Sequence, residues 1–142
     1  MAKVLSGAGL RGQVAGKTAL STVGKSGSGL TYRGYDVKDL ANNCQFEEVA
    51  YLILKGELPT QGQLDEYKGQ LKTMRGLPQA LKEVLERIPA DAHPMDVLRT
   101  GCSMLGNLEG EADFSMQQQV TDRMLAAFPS IICYWYRFSH DG

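Results

Sequence analysis

Leu58-Pro59-Thr60-Gln61-Gly62-Gln63-Leu64-Asp65-Glu66-Tyr67-Lys68-Gly69-Gln70-Leu71-Lys72-Thr73-Met74-Arg75-Gly76 is the stretch that decides the fold class. Thr60 and Gln63 stand three apart, the spacing of a capping box in which each side chain satisfies a backbone N–H at a helix start. Leu64, Tyr67, Leu71 and Met74 then recur at the three-to-four-residue interval that puts apolar side chains on one face of a helix. Gly76 is the expected stop. An element with its own start, apolar face and end reads as a core-facing amphipathic helix.

The same grammar repeats outward on both sides. Upstream, Phe46, Val49, Ala50 and Ile53 share one face of a predicted helix, with Gly56 placed to cap its end. Before that, Asp36 is suited to cap a short helix over 37–40. Downstream, Pro78 opens a helix with Leu81, Val84, Leu85 and Ile88 in phase. Pro94 sits at the first turn of another, with Asp96 near its positive end and Val97, Leu98, Cys102 and Leu105 following. Gly106–Asp113 reads as a polar turn region, and a last long helix is expected from about Ser115 to Phe138. Pro129 lies within it, so a kink is expected one turn earlier.

The N-terminal quarter differs. Gly7, Gly9, Gly12, Gly16, Gly24, Gly27, Gly29 and Gly34 crowd it, and two short runs, 19–23 and 30–33, have strand character. With Gly24–Gly29 between them they predict a small β-hairpin on a glycine-rich arm. Such a hairpin needs a larger body to pack against. The expectation is a mainly α protein, with residues 1–35 as arm and hairpin and residues 36–142 as a helical body.

Composition excludes several functions. The 142 residues carry 15 basic and 16 acidic side chains, interleaved, for a net charge of −1. That leaves no cationic stripe for nucleic acid or anionic lipid. No run approaches the roughly 20 apolar residues of a membrane span, and no apolar signal core follows Met1-Ala2-Lys3. Cys44, Cys102 and Cys133 are scattered, odd in number and set in apolar helical contexts, as for buried free thiols in a reducing, cytoplasmic compartment.

Apparent chemical motifs mostly dissolve on inspection. Gly7-Ala8-Gly9-Leu10-Arg11-Gly12 spells GxGxxG, but the strand and helix that make it a phosphate site do not flank it. Gly12–Thr18 resembles a phosphate-binding loop one residue short between its glycines, and the length is what curls the N–H groups around an anion. His93 stands beside Pro94 with Asp91 and Asp96 near, yet no second ligand set lies at metal-binding spacing. A capping or backbone-bonding role suits it better. No metal ligand set and no catalytic residue is assigned. Lys68, Lys72 and Arg75 fall at helical spacing on one face, which is either solvated or reaches an anionic substrate, since carboxylates and phosphates require cations.

Five ordered blocks resemble the citrate synthase family. They are Thr31-Tyr32-Arg33-Gly34-Tyr35-Asp36, Phe46–Leu52, Gly56–Thr60, Arg75-Gly76-Leu77-Pro78 and Ala92–Thr100. Ala92-His93-Pro94-Met95-Asp96-Val97-Leu98-Arg99-Thr100 and the ending Tyr134–Gly142 are most similar to the bacterial 2-methylcitrate synthase branch. The resemblance implies the first helices of that family's multi-helical large domain, with the small hairpin before them. It also implies a homo-oligomeric enzyme that condenses propionyl-CoA with oxaloacetate, or acetyl-CoA in ordinary citrate synthases, with no cofactor beyond the acyl-CoA substrate. On that resemblance the family's two histidines and aspartate fall past Gly142, so this chain by itself is expected to be inactive. A substrate-contacting basic residue is carried over to Lys72, with Arg75 as its neighbour. A helical interaction module without activity is the alternative reading.

Overall fold

The computed structural model describes residues 14, 16–24 and 29–141. The GxGxxG stretch, residues 12, 13 and 15 of the shortened loop motif and the tip of the first hairpin turn lie outside the described residues. Three short strands, six α-helices and one 3-10 turn are described, in two units that divide after Thr60.

The first unit begins with β1 (Ser21–Thr22), β2 (Thr31–Tyr32) and β3 (Tyr35–Asp36), an antiparallel sheet in that order. Ser21 pairs with Tyr32 and Thr22 with Thr31; Thr31 pairs again with Asp36 and Tyr32 with Tyr35. The sequence reading anticipated only two strands. The third arises because Arg33 and Gly34 both adopt positive φ, +50° and +92°, which closes a two-residue hairpin. Asp36 ends β3 and caps the next helix, its Oδ1 accepting from Lys38 N–H at 2.8 Å. That helix, α1 (Val37–Asn43), runs three residues past the predicted end and buries Leu40.

α2 (Phe46–Lys55) starts with Gln45 N–H donating to Glu48 Oε2 at 2.6 Å. It ends on Gly56 at φ +97°, the left-handed cap expected of that glycine. Its buried residue is Leu52, whereas Phe46, placed on the apolar face by periodicity, is two-thirds exposed. The Arg33 side chain reaches α2 from the hairpin turn, donating to the Ile53 carbonyl at 2.8 Å through Nη2. That carbonyl belongs to the last helical turn and has no successor N–H within the helix.

The second unit contains α3 (Gln61–Thr73), α4 (Gln79–Leu85), α5 (Pro94–Leu108) and α6 (Gln117–His140), with a 3-10 turn at Phe114–Met116. α3 buries Leu64, Tyr67 and Leu71, three of the four residues that periodicity selected. It stops at Thr73, three residues before Gly76, and Gly76 has no positive φ. The termination comes instead from tightened bonds, Met74 N–H to Leu71 C=O at 3.1 Å and Arg75 N–H to Lys72 C=O at 3.4 Å.

α5 takes Pro94 at its first turn and is capped by His93, whose Nδ1 accepts from Met95 N–H at 3.1 Å. It continues through Gly106 to Leu108, so the predicted turn region begins later than expected. α6 passes through Pro129 as one unbroken helix and reaches His140, two residues beyond the predicted end. Leu81, Leu85, Val97, Leu105, Ala127, Ile131 and Trp135 form the core of this unit. Each large apolar side chain so buried contributes about 1.5–3 kcal/mol against exposure. α5 and α6 meet so closely at Gly101 that a Cβ there would lie 2.6 Å from Ile131 Cγ2. The glycine is thus a packing device, which its helical position alone does not reveal.

Candidate functional site

The candidate site gathers where α3 and α5 end and α6 begins. A cavity of about 440 Å³ opens there, walled by Met74, Cys102, Leu105, Met116, Val120 and Met124, with Glu109 and Arg123 also on its lining. Four of those six walls carry sulfur, whose flexible or polarizable side chains fit irregular space.

Arg123 is the centre of the polar chemistry. Its Nε donates to Glu109 Oε2 at 2.7 Å and its Nη2 to Glu109 Oε1 at 2.8 Å, a two-pronged ion pair. Its Nη1 donates to the Met74 carbonyl, the residue just past α3. One side chain of α6 therefore ties the C-terminal ends of α3 and α5 together. The hydrogen bond from Arg123, reinforced by its charge, holds the Glu109 carboxyl below the usual carboxylate range, with partial burial opposing. The guanidinium is stabilised in its charged form by the same contact.

A second polar contact lies deeper in the unit. Asp122 is only 2% exposed, and its Oδ1 accepts from Tyr67 O–H at 2.8 Å and from Gln118 Nε2 at 3.0 Å. A buried carboxylate demands such donors. This pair joins α3 to α6, with Asp122 immediately before Arg123 on α6 and Tyr67 seven residues before Met74 on the α3 side.

Lys72 and Arg75, the residues carried over as substrate contacts, lie on either side of the Met74 carbonyl that Arg123 holds. Both are exposed, and neither has an ion-pair partner among the described residues. Their geometry differs from the expected common helix face. Lys72 remains in the last turn of α3, while Arg75 stands in the connection that follows. His93 is spent on its cap, and Asp96 pairs with Arg99 at 3.0 Å on the surface. Among the described residues no group of three or more His, Cys, Asp or Glu could hold a metal ion, and Cys44, Cys102 and Cys133 are free thiols. No helix among them is long and apolar enough to cross a membrane.

Arg123, Glu109 and Asp122 were not singled out by the sequence. Glu109 and Arg123 stand fourteen residues apart with a loop between them, a separation that carries no helical spacing. Asp122 did leave a trace, since it lies four residues before buried Ala126 and so in phase with the apolar stripe of α6.

The five blocks, the sheet and the helical order are those of one enzyme family, and the comparisons with known proteins agree. The family described as "Citrate synthase, C-terminal domain" matches residues 9–142, and the chain belongs to the citrate synthase family. A 2-methylcitrate synthase of Shewanella oneidensis is 82% identical over 141 residues, covering 99% of this chain and 38% of its own length. A 2-methylcitrate synthase of Mycobacterium tuberculosis is 40% identical over 125 residues, covering 87% of this chain and 32% of its own. Among solved structures, citrate synthase from Thermotoga maritima superposes with a TM-score of 0.81 at 29% identity, over 94% of this chain and 35% of that one. The chain therefore spans about a third to two-fifths of the length of these relatives.

Proposed function

We propose that this chain forms part of a 2-methylcitrate synthase, an acyltransferase that joins propionyl-CoA to oxaloacetate and hydrolyses the thioester to release CoA. The observation that carries this reading is the 82% identity to the Shewanella enzyme along 99% of the chain. In such a Claisen-type condensation a carboxylate removes the α-proton of the acyl-CoA, and positioned cations bind the anionic ends of both substrates.

Within this chain no acid–base pair for that step is assigned. Its contribution is scaffold, together with Lys72 and Arg75 as cations for substrate carboxylate or phosphate. These two exposed charges, one in the last turn of α3 and one just past it, have no ion-pair partner among the described residues, which supports that role. A cytoplasmic homo-oligomer is the expected setting. Acetyl-CoA in place of propionyl-CoA is the second reading, favoured by the structural likeness to citrate synthases.

Thiol release from propionyl-CoA and from acetyl-CoA, each with oxaloacetate, tests the assignment. The full-length enzyme is expected to prefer propionyl-CoA, and the 142-residue chain to show no turnover. Turnover by the short chain refutes the claim that the acid–base groups lie elsewhere. A full-length enzyme that prefers acetyl-CoA establishes the second reading.

A further inference from the structure

We infer that Arg123 is a positioning residue for the anion-binding end of α3, an inference that rests on the reading of Lys72 and Arg75 as substrate contacts. A helix end leaves its last carbonyls without N–H partners, and these must be satisfied from outside. α3 closes with a 3.1 Å bond and a long 3.4 Å bond and has no left-handed glycine cap, so its own backbone holds the turn loosely. Arg123 supplies the missing cap from another helix by donating Nη1–H to the Met74 carbonyl.

The guanidinium can do this with little freedom because Glu109 holds its other edge at 2.7 and 2.8 Å. A planar fork pinned on one edge has its remaining donor direction fixed. Met74 is flanked by Lys72, two residues before, and Arg75, one residue after, so fixing its carbonyl fixes the backbone from which both cations project. The Glu109 carboxylate also neutralises Arg123 locally. The positive field at this end of α3 is then left to Lys72 and Arg75, next to the negative pole of the helix, where cations are favoured. The ligand chemistry is an anion, either the carboxylates of oxaloacetate or the phosphates of the acyl-CoA.

The test uses Arg123→Met, which keeps length and apolar bulk, and Arg123→Lys, which keeps charge but loses the fork. In the 142-residue chain, amide hydrogen exchange over 73–77 is expected to accelerate about tenfold in Arg123→Met, with the core amides of α6 unchanged. In the full-length enzyme, KM for one anionic substrate is expected to rise about five- to tenfold in Arg123→Met, with kcat within about twofold. Arg123→Lys is expected to recover less than half of that loss. Separate KM values for oxaloacetate and acyl-CoA decide which anion is held.

Lys72→Ala and Arg75→Ala serve as the controls. If neither changes any KM, the reading of these two residues fails, and the positioning role falls with it. If they raise KM while Arg123→Met does not, the reading survives and the inference about Arg123 is overturned. Unchanged exchange over 73–77 overturns it as well. A fall in kcat and melting temperature together, without a KM change, assigns Arg123 to general stability instead.

Discussion

Replacing Gly101 by alanine adds a single methyl group, and its effect follows from two opposing quantities. In a helix interior, alanine is favoured over glycine by about 0.5–1 kcal/mol because it restricts the unfolded chain and hides backbone. Against this, the new Cβ lies 2.6 Å from Ile131 Cγ2 and 3.3 Å from Cδ1. Ile131 is fully buried and branched at Cβ, so Cγ2 cannot swing away without moving α6 or an off-rotamer χ1. Overpacking of this kind costs about 1–3 kcal/mol. Overpacking wins, and Gly101→Ala is expected to destabilise the chain by about 1 kcal/mol net. Urea unfolding followed by circular dichroism reads this as a lower midpoint at unchanged slope.

The partner substitutions sharpen the test. Ile131→Val keeps Cγ2, the atom that clashes, and is expected to give no relief. Ile131→Ala removes every contacting atom; alone it costs about 2–5 kcal/mol through the cavity it leaves. Combined with Gly101→Ala, the total is expected to fall short of the sum by about 1.5–2 kcal/mol, the whole overpacking cost, since the new methyl then occupies vacated space. A Gly101→Ala chain as stable as the parent, or additivity with Ile131→Ala, refutes the close-approach argument.

Tyr67→Phe removes one donor from buried Asp122 while Gln118 still donates at 3.0 Å, and is expected to cost about 1–3 kcal/mol by urea unfolding. His93→Ala removes the acceptor for Met95 N–H and is expected to cost about 0.5–2 kcal/mol, whereas His93→Asn is expected to be neutral or better. Because the carboxyl of Glu109 is held below its reference of 4.5, the unfolded chain takes up its proton first as pH falls. The stability it contributes is present above that reference and lost as pH drops through the lower, folded value. Glu109→Gln is expected to flatten the acid side of a melting-temperature profile below about pH 4.5, by differential scanning fluorimetry.

The helices were legible because each carries both its apolar period and its punctuation. Leu64, Tyr67 and Leu71 on α3, and Leu81 and Leu85 on α4, announce the buried face; Asp36, Gly56 and Pro94 mark ends that the structure confirms. Gly76 and Gly106 misled for a physical reason. Glycine permits a break without requiring one, and at Gly106 the hydrogen-bond ladder simply continues. Phe46 misled because amphipathic phase fixes a face only relative to whatever covers it. The third strand was hidden in two residues, Arg33 and Gly34, whose positive φ is a property of the turn and barely of the composition. At the candidate site the cations Lys72 and Arg75 were visible as charges, but Arg123 and Glu109 were not. Their meeting depends on how α5 and α6 return past one another, which no local spacing encodes.

Arg33 shows how little slack this chain keeps near its start. In six residues, Thr31 to Asp36, the chain forms a strand, turns, forms another and hands over directly to a helix. Arg33 provides a left-handed turn residue, an N–H to Leu20 C=O at 2.8 Å and a side chain that reaches Ile53 C=O. Asp36 belongs to the sheet and to the helix cap at once. One inserted or deleted residue anywhere in this segment would turn its side chains to the opposite face of the sheet and pull Asp36 off the helix start together. Length variation among relatives of this chain should therefore fall outside residues 31–37, however freely the identities of single positions change.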